Sequence, residues 1–312
     1  MVNESGSWQD ASQLAARVSP TLAMLRAVAA EGHLTRAAER LAMPQPTISR
    51  ALAKLSEQID APVITHQGRG IRLTRAGGML ASAADEALRT LETGCRSVVE
   101  ELDPERGQVV FGFQHTMGRG VVPTLIRDFR VQHPEVRFGL VQGARDDLLD
   151  RMASGEIDLC LISPPPSADR FLDAFAVREE PLLAVLFEQH RLAHRKALKL
   201  GELAEDDFVA TRRGYGLRQI FSDLASQAGF NPRLAFESEE VDTVRGLVAA
   251  GLGVALLPPT DNGPAPGTVE IPLEPAAHRT ISLAWTTQRT MPPAVRVFRD
   301  FVSASETASA NE

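Results

Sequence analysis

Cysteine is scarce in this chain. Cys95 and Cys160 are the two among 312 residues, too few for a disulfide framework or a metal-ligand set, so both read as buried, reduced thiols. No apolar run approaches the ~20 residues that a membrane-spanning helix needs. Residues 1–17 are polar, carry Glu4 and Asp10, and lack the basic start and apolar stretch of a secretory signal, so a cytoplasmic location is expected. There is no Gly-x-Ser-x-Gly elbow, Walker loop or dinucleotide-binding glycine fingerprint, and Gly251-x-Gly253 is too little by itself. His190 and His194 stand four apart, a spacing that suits a metal on a helix, but no third ligand accompanies them. The chain is therefore expected to have no catalytic residues, no cofactor and no metal. It shows no internal repeat.

What is present is an ordinary globular composition, 44% hydrophobic and 23% charged, at a length that suggests two or three domains. The net charge of −7 speaks against a general nucleic-acid-binding surface, yet it is unevenly spread. Between Pro20 and Arg75 eight Lys/Arg face four Asp/Glu, which leaves an excess of eleven negative charges over the rest of the chain. A basic module on an acidic body is what a protein shows when one part alone meets DNA.

Three short helices are expected between Pro20 and Ile59. Leu22, Leu25 and Val28 step by three towards Gly32. Leu34, Ala37, Ala38 and Leu41 form a second face, with Thr35 as its cap. Ile48, Leu52, Leu55 and Ile59 form a third. A longer helix follows from Thr74, which can cap it, to Asp103-Pro104. Its stripe of Leu80, Ala84, Ala87, Leu91, Cys95, Val98 and Leu102 suits pairing with a second chain better than packing on its own domain. Beyond this hinge, strands and helices alternate: strands at 109–113, 136–141, 157–162, 182–187, 208–211, 234–237, 254–257, 269–271 and 281–284, and a last helix at 294–302. Such alternation implies α/β layers with mostly parallel strands. Residues 1–18 and 303–312 are polar and expected to be disordered or extended.

The first two short helices and their tight turn are a helix-turn-helix arrangement, whose second helix can enter a major groove. On Gln45–Ile59 the apolar face is taken by Ile48, Leu52, Leu55 and Ile59, so Thr47, Arg50 and Lys54 lie together on the opposite side. Gln suits adenine, Arg suits guanine, and Thr takes either role or meets a thymine methyl. A solvated polar face is the ordinary alternative. The segments Leu34-Thr35-Arg36-Ala37-Ala38-Glu39-Arg40-Leu41, Gln45-Pro46-Thr47-Ile48-Ser49-Arg50 and Gly70-Ile71-Arg72-Leu73-Thr74-Arg75-Ala76-Gly77 occur in the order and spacing of one family. They resemble the N-terminal domain of LysR-type transcriptional regulators.

That resemblance implies an all-α winged helix-turn-helix at 19–75 and a dimerising linker helix at 76–103. It implies a C-terminal α/β two-lobed domain like periplasmic binding proteins at 109–302. Gln45, Thr47 and Arg50 become base-reading candidates, with Pro46 and Ser49 beside them. Arg69 becomes the wing-tip candidate for the minor groove. Arg36, Lys54, Arg72 and Thr74 become phosphate contacts that give affinity and salt dependence, and Thr35 joins the DNA-binding set. The sequence departs from the family at Pro44, where a capping Ser is frequent, and at Ser56, where Glu is frequent. It departs again at Ile59-Asp60 and Val63-Ile64-Thr65-His66.

For the C-terminal domain the resemblance implies two crossings between lobes, near Leu182–Phe187 and Pro266–Pro272. Lobe I would be 109–182 with 270–302, and lobe II 187–266. Ligands in open sheets bind beyond the carboxyl ends of strands, where helix N-termini offer free N–H groups. The junctions that fit place Gln114, His115, Thr116, Met117, Ser163, Thr211, Gly214 and Ser238 at an effector cleft, and the resemblance of Gly251-Leu252-Gly253-Val254-Ala255-Leu256-Leu257-Pro258 to the family's turn and strand beside the cleft adds Leu257. A Ser or Thr there serves equally as a helix cap, and His115 equally as a polar loop residue. Arg212 and Arg213 beside a helix start would favour a carboxylate. The Gln114-His115-Thr116 opening also resembles the glutamate-synthase-regulator branch of the family.

The expected partners are double-stranded DNA, a small-molecule effector, and a second copy of the chain as dimer or tetramer. RNA polymerase is a further candidate, and no membrane partner is expected. Dimers would present recognition helices ~34 Å apart, and the effector would shift that spacing through unequal affinity for two arrangements. Two other classes compete. One is a winged helix fused to an enzymatic, biotin-ligase-like domain, against which no nucleotide loop occurs in the C-terminal part. The other is a ligand-delivery protein, against which stand the N-terminal module and the missing export signal. Cys95 on the stripe raises redox sensing, but Cys160 lies in an apolar strand of another domain and makes a poor partner.

Overall fold

The computed structural model describes residues 18–67, 70–102, 107–167, 171–260 and 263–309. The chain divides into two compact units, residues 1–95 and 96–312. No helix among the described residues is long and apolar enough to cross a membrane.

The first unit is built from α1 (Leu22–Glu31), α2 (Leu34–Arg40), α3 (Gln45–Gln58) and a wing of two antiparallel strands, β1 (Ile64–Gln67) and β2 (Gly70–Leu73), followed by α4 (Arg75–Leu102), whose last turns run past residue 95 into the second unit. The expected apolar positions are its core: Leu25, Val28, Ala37, Ala38, Ile48, Leu52 and Leu55 are buried together with Val63 and Ala81. Gly32 ends α1 in the left-handed conformation, φ 61°, which glycine adopts without a Cβ penalty. Thr35 is not the cap expected for α2. His33 occupies that position with extended backbone and no side-chain bond, and Thr35 lies inside the helix. At α4 the expected cap is present: Thr74 Oγ1 accepts the Gly77 N–H at 3.0 Å and donates to the Pro62 carbonyl at 2.6 Å. Gly77 is required there, because a Cβ would lie 1.9 Å from the Val63 carbonyl oxygen. Ser56 has a use the sequence did not reveal. Its hydroxyl donates to Leu52 O and accepts the Val63 N–H, tying α3 to the start of the wing.

The stripe on α4 has two fates. Ala84 is buried and Leu80 packs on the core, whereas Leu91 and Val98 are 62% and 65% exposed. Cys95 is exposed as well, against the expectation of a buried thiol. The side chain of Leu102 lies outside the described residues.

The second unit contains β3 (Gln108–Gln114), α5 (Val121–Gln132), β4 (Arg137–Gly143), α6 (Arg145–Ala153), β5 (Leu159–Ile162), β6 (Leu172–Phe187), β7 (Asp207–Thr211), α7 (Gly216–Gln227), β8 (Arg233–Ser238), α8 (Val241–Ala249), β9 (Ala255–Leu257), β10 (Thr268–Thr286) and α9 (Pro293–Ser309). A six-stranded sheet runs β4-β3-β5-β10-β6-β9, and β7 pairs with β8. The expectation of mostly parallel strands needs correction. β3 is parallel to β4 and β5, and β7 to β8, but β10 runs antiparallel to β5 and β6, and β6 antiparallel to β9.

The expected strands at 269–271 and 281–284 are one long strand, β10, and β6 begins ten residues before the expected Leu182. Arg178-Glu179-Glu180-Pro181 reads as a polar break, yet it stays extended because its backbone pairs with Ile281 to His278. The crossings therefore lie at Arg178–Leu182 and Ala277–Ile281, displaced from the expected 182–187 and 266–272. On one side of them β10 pairs with β5, and on the other β6 pairs with β9. Each side has its own core. Phe111, Phe129 and Phe298 anchor lobe I, and Phe208, Phe221 and Val248 anchor lobe II. The tail expected to be disordered from Ser303 is helical through Ser309, as a continuation of α9.

Candidate nucleic-acid interface and effector cavity

Helix α3 buries Ile48, Leu52 and Leu55 and leaves Pro46, Ser49, Arg50 and Lys54 exposed, with Gln45 and Thr47 half-buried. Its first turn has no side-chain cap. Pro44 occupies the cap position, its carbonyl accepts the Thr47 N–H at 2.9 Å, and a proline sits among the first helical residues, where its missing N–H costs nothing. Arg50 Nε donates to the Pro46 carbonyl at 3.2 Å, which folds the guanidinium back along the helix towards its N-terminus. Thr35 and Arg36 are exposed on α2, and Arg36 donates to Glu31 O at 2.9 Å. Arg72 is exposed on the wing. Thr74 is half-buried and its hydroxyl is engaged twice within the unit, so it serves as a cap rather than a free donor. Arg69 lies outside the described residues. The structure thus gathers Pro46, Ser49, Arg50 and Lys54 on one solvent face of α3.

In the second unit the expected effector residues separate into three groups. His115 and Thr116 line a cavity of about 450 Å³, within the usual range for small-molecule sites. Its floor is made by the crossing strands. Arg279 on β10 donates through Nε and Nη2 to Glu180 on β6, at 2.6 and 2.5 Å, and through Nη1 to Thr116 Oγ1 at 2.9 Å. Arg178 stands 3.8 Å from the same carboxylate. Burial holds the Arg279 guanidinium below its ordinary pKa, with Arg178 adding to that effect and Glu180 opposing it. Lobe II contributes the first turn of α8. Glu240 faces His115 Nε2 at 3.6 Å, and Asp242 pairs with Arg119. Arg245 closes the side wall, bonded to Glu270 at 2.5 Å and to the Pro258 carbonyl, both charged side chains being less than a tenth exposed.

The second group lies where Gly216 meets lobe I. A Cβ on Gly216 would be 1.6 Å from Ser163 O, so glycine alone permits this approach. Gln114 Oε1 accepts the Ser163 N–H at 2.7 Å, and Asp146 N–H donates to Gly214 O across the same junction. Ser163 and Thr211 are buried, and neither hydroxyl has a partner. Gly214, at φ 87°, turns the chain into α7.

The third group does not reach a cavity. Met117 is fully buried in the lobe I core, and Leu257 pairs with Leu183 inside the lobe II core. Their strand-end positions suggested a cleft, but their side chains point to the packed face. Ser238 accepts the Glu240 N–H and shapes the turn before α8. Arg212 is not a free cation, since Glu239 lies 2.5 Å from it.

Arg119, Arg178, Glu180, Glu240, Asp242, Arg245 and Arg279 escaped the sequence reading. The available signal was Arg178 and Glu180 in one strand and Arg279 in another, charges set among residues of strand character. The two histidines differ in their surroundings. His190 accepts the Leu192 N–H at Nδ1 and meets Asp206 through Nε2, His194 is exposed, and no metal-binding cluster occurs among the described residues. Cys160 is fully buried and its thiol is pushed up to about 12 by burial, so it is inert as a thiolate.

Comparison with known proteins follows the two units. Residues 20–78 match the bacterial regulatory helix-turn-helix protein model of the lysR family, and residues 102–306 match the LysR substrate binding domain. The transcriptional dual regulator GltC of Bacillus subtilis is 33% identical over 258 residues, covering 82% of this chain and 86% of GltC. Full-length CbnR complexed with its target DNA superimposes with a TM-score of 0.69 at 21% identity, over 92% of this chain and 99% of that one. The effector binding domain of QuiR in complex with shikimate gives 0.62 at 24% identity, over 65% of this chain and 98% of QuiR's.

Proposed function

The chain belongs to the LysR family of DNA-binding transcriptional regulators with an effector-binding domain, and we propose that a small carboxylate in the crossing-strand cavity sets how its dimers engage DNA. The observation that carries this reading is the cavity floor. Arg178 and Arg279 share the single carboxylate of Glu180, which leaves one guanidinium charge unmatched among the strand residues that line the cavity. A carboxylate supplies the missing partner. Because the cavity is lined by His115 and Thr116 from lobe I and by Glu240 and Asp242 from lobe II, a ligand there has unequal contacts in open and closed arrangements, as a shift in equilibrium requires. QuiR, whose effector domain is similar in fold, holds shikimate, itself a small carboxylate.

On the head, Gln45, Thr47 and Arg50 read base edges, with Arg36, Lys54 and Arg72 on phosphates. The wing-tip role of Arg69 stays part of this reading. The exposed Leu91, Cys95 and Val98 pair with a second copy of α4, with tetramers as pairs of dimers. Leu91→Glu is expected to turn the dimer into monomer in sedimentation velocity; an unaltered profile removes this stripe from the interface.

The reading as a whole is tested with full-length protein and sheared fragments of its own genome. Recovered fragments should share a two-half-site sequence, bound with an affinity that falls steeply with salt, and a carboxylate metabolite should alter the footprint. Binding with no shared sequence, or a footprint altered by uncharged compounds alone, would refute it.

A further inference from the structure

We propose that the crossing-strand cavity is built for a zwitterion, a ligand that carries a carboxylate and a protonated amine together, of which an α-amino acid is the simplest form. The inference deepens the carboxylate reading and rests on it.

The charges that line the cavity are sorted by position. Arg245 is matched by Glu270, both buried, and takes no further part. On the floor, Arg178 and Arg279 stand against Glu180, an excess of one positive charge. Arg279 uses its Nε and both terminal nitrogens on Glu180 and Thr116, whereas Arg178 is 3.8 Å from Glu180, too far for a hydrogen bond, and is more than half exposed. Arg178 is therefore the group with N–H donors to offer an incoming carboxylate. On the rim the imbalance is reversed. Glu240 and Asp242 stand against Arg119, an excess of one negative charge, with His115 3.6 Å from Glu240. The Nδ1 of His115 is buried and has no partner.

The lining is thus close to neutral as a whole but polarised between the crossing strands and the start of α8. A simple anion gains from Arg178 and is opposed by the rim carboxylates. A dicarboxylate brings its second charge against Glu240 or Asp242, and like-charge juxtaposition is costly. The α8 N-terminus would favour an anion at the rim, but its own first-turn acids already occupy that position. An ammonium group meets those acids directly and competes with Arg119 and His115 for them. Both acids and Arg178 are more than half exposed, so their substitution leaves the cores intact.

The experiment is calorimetric titration of full-length protein at pH 7 with the proteinogenic α-amino acids, their 2-oxo counterparts, which keep the carboxylate and lose the amine, and the corresponding amines. At least one amino acid should bind about tenfold or more tightly than both of its analogues. Arg178→Gln should weaken that amino acid and its 2-oxo acid alike. Glu240→Gln with Asp242→Asn should remove the preference for the amino acid and leave 2-oxo acid binding in place, with thermal melts confirming that each variant is folded. Equal binding of amino and 2-oxo acids through Arg178 would overturn the zwitterion and leave the carboxylate reading standing. Binding of amines alone, binding indifferent to Arg178, or silence across the panel would overturn it too, and in the first two cases the carboxylate reading falls with it.

Discussion

The head and the sensing unit place their candidate functional side chains in different ways. In the head, Ser49, Arg50 and Lys54 lie on one face of a single helix, opposite Ile48, Leu52 and Leu55. In the sensing unit, the pair at the centre of the floor, Glu180 and Arg279, is 99 residues apart in sequence and meets through an antiparallel register. The acids that face them come from a different lobe. A surface made by one helix needs its apolar side buried and little else, so its polar side tolerates change. A site assembled from crossing strands buries charge to hold its shape, and each buried charge depends on its partner.

The contrast is sharpest for Arg245→Ala. This leaves Glu270 buried without its partner and frees the Pro258 carbonyl, and should cost the sensing unit about 3–5 kcal/mol. Chemical denaturation followed by a probe in that unit measures it. A cost near zero would mean the wall is as tolerant as the helix face, and the contrast would fail. Gly77→Ala attacks the head where it too is assembled tightly, at the approach of α4 to the Val63 carbonyl, and about 1–3 kcal/mol of head stability should be lost. Arg50→Ala touches only the exposed face. Unfolding should be unchanged, while operator affinity falls by about 1–3 kcal/mol and specificity relaxes at the position Arg50 reads. Footprints of wild type and variant that coincide would remove Arg50 from the reading set.

The same contrast explains what could be read early. Within the head, spacing alone located three helices and their buried residues, because a helical face is a local property repeated every three or four residues. Thr74 was recognised as a cap since a cap bonds three residues ahead. Thr35 was misplaced because His33 took the cap position with backbone geometry and no side-chain bond, which leaves no trace in composition. Ser56 was noted as a departure, but its bridge to Val63 joins two elements and could not be inferred from either.

In the sensing unit most strands and the last helix were legible near their observed bounds. The crossing was not, because Arg178-Glu179-Glu180-Pro181 has the residues of a turn and becomes strand only when β10 pairs with it. His115 and Thr116, singled out by their place after a strand, line the cavity. Met117 and Leu257 share that kind of position but face the packed side.

The order of residues by itself determined a basic helix-turn-helix head, a long amphipathic helix and an α/β body, since periodicity, capping and charge segregation act over a few residues at a time. Tertiary structure alone decided which charges meet. Whether Arg279 finds Glu180, and whether Arg178 is left with donors to spare, depends on the register of two strands nearly a hundred residues apart. Register is set by which residues of both strands must turn to the core together, a condition that no short stretch of sequence contains.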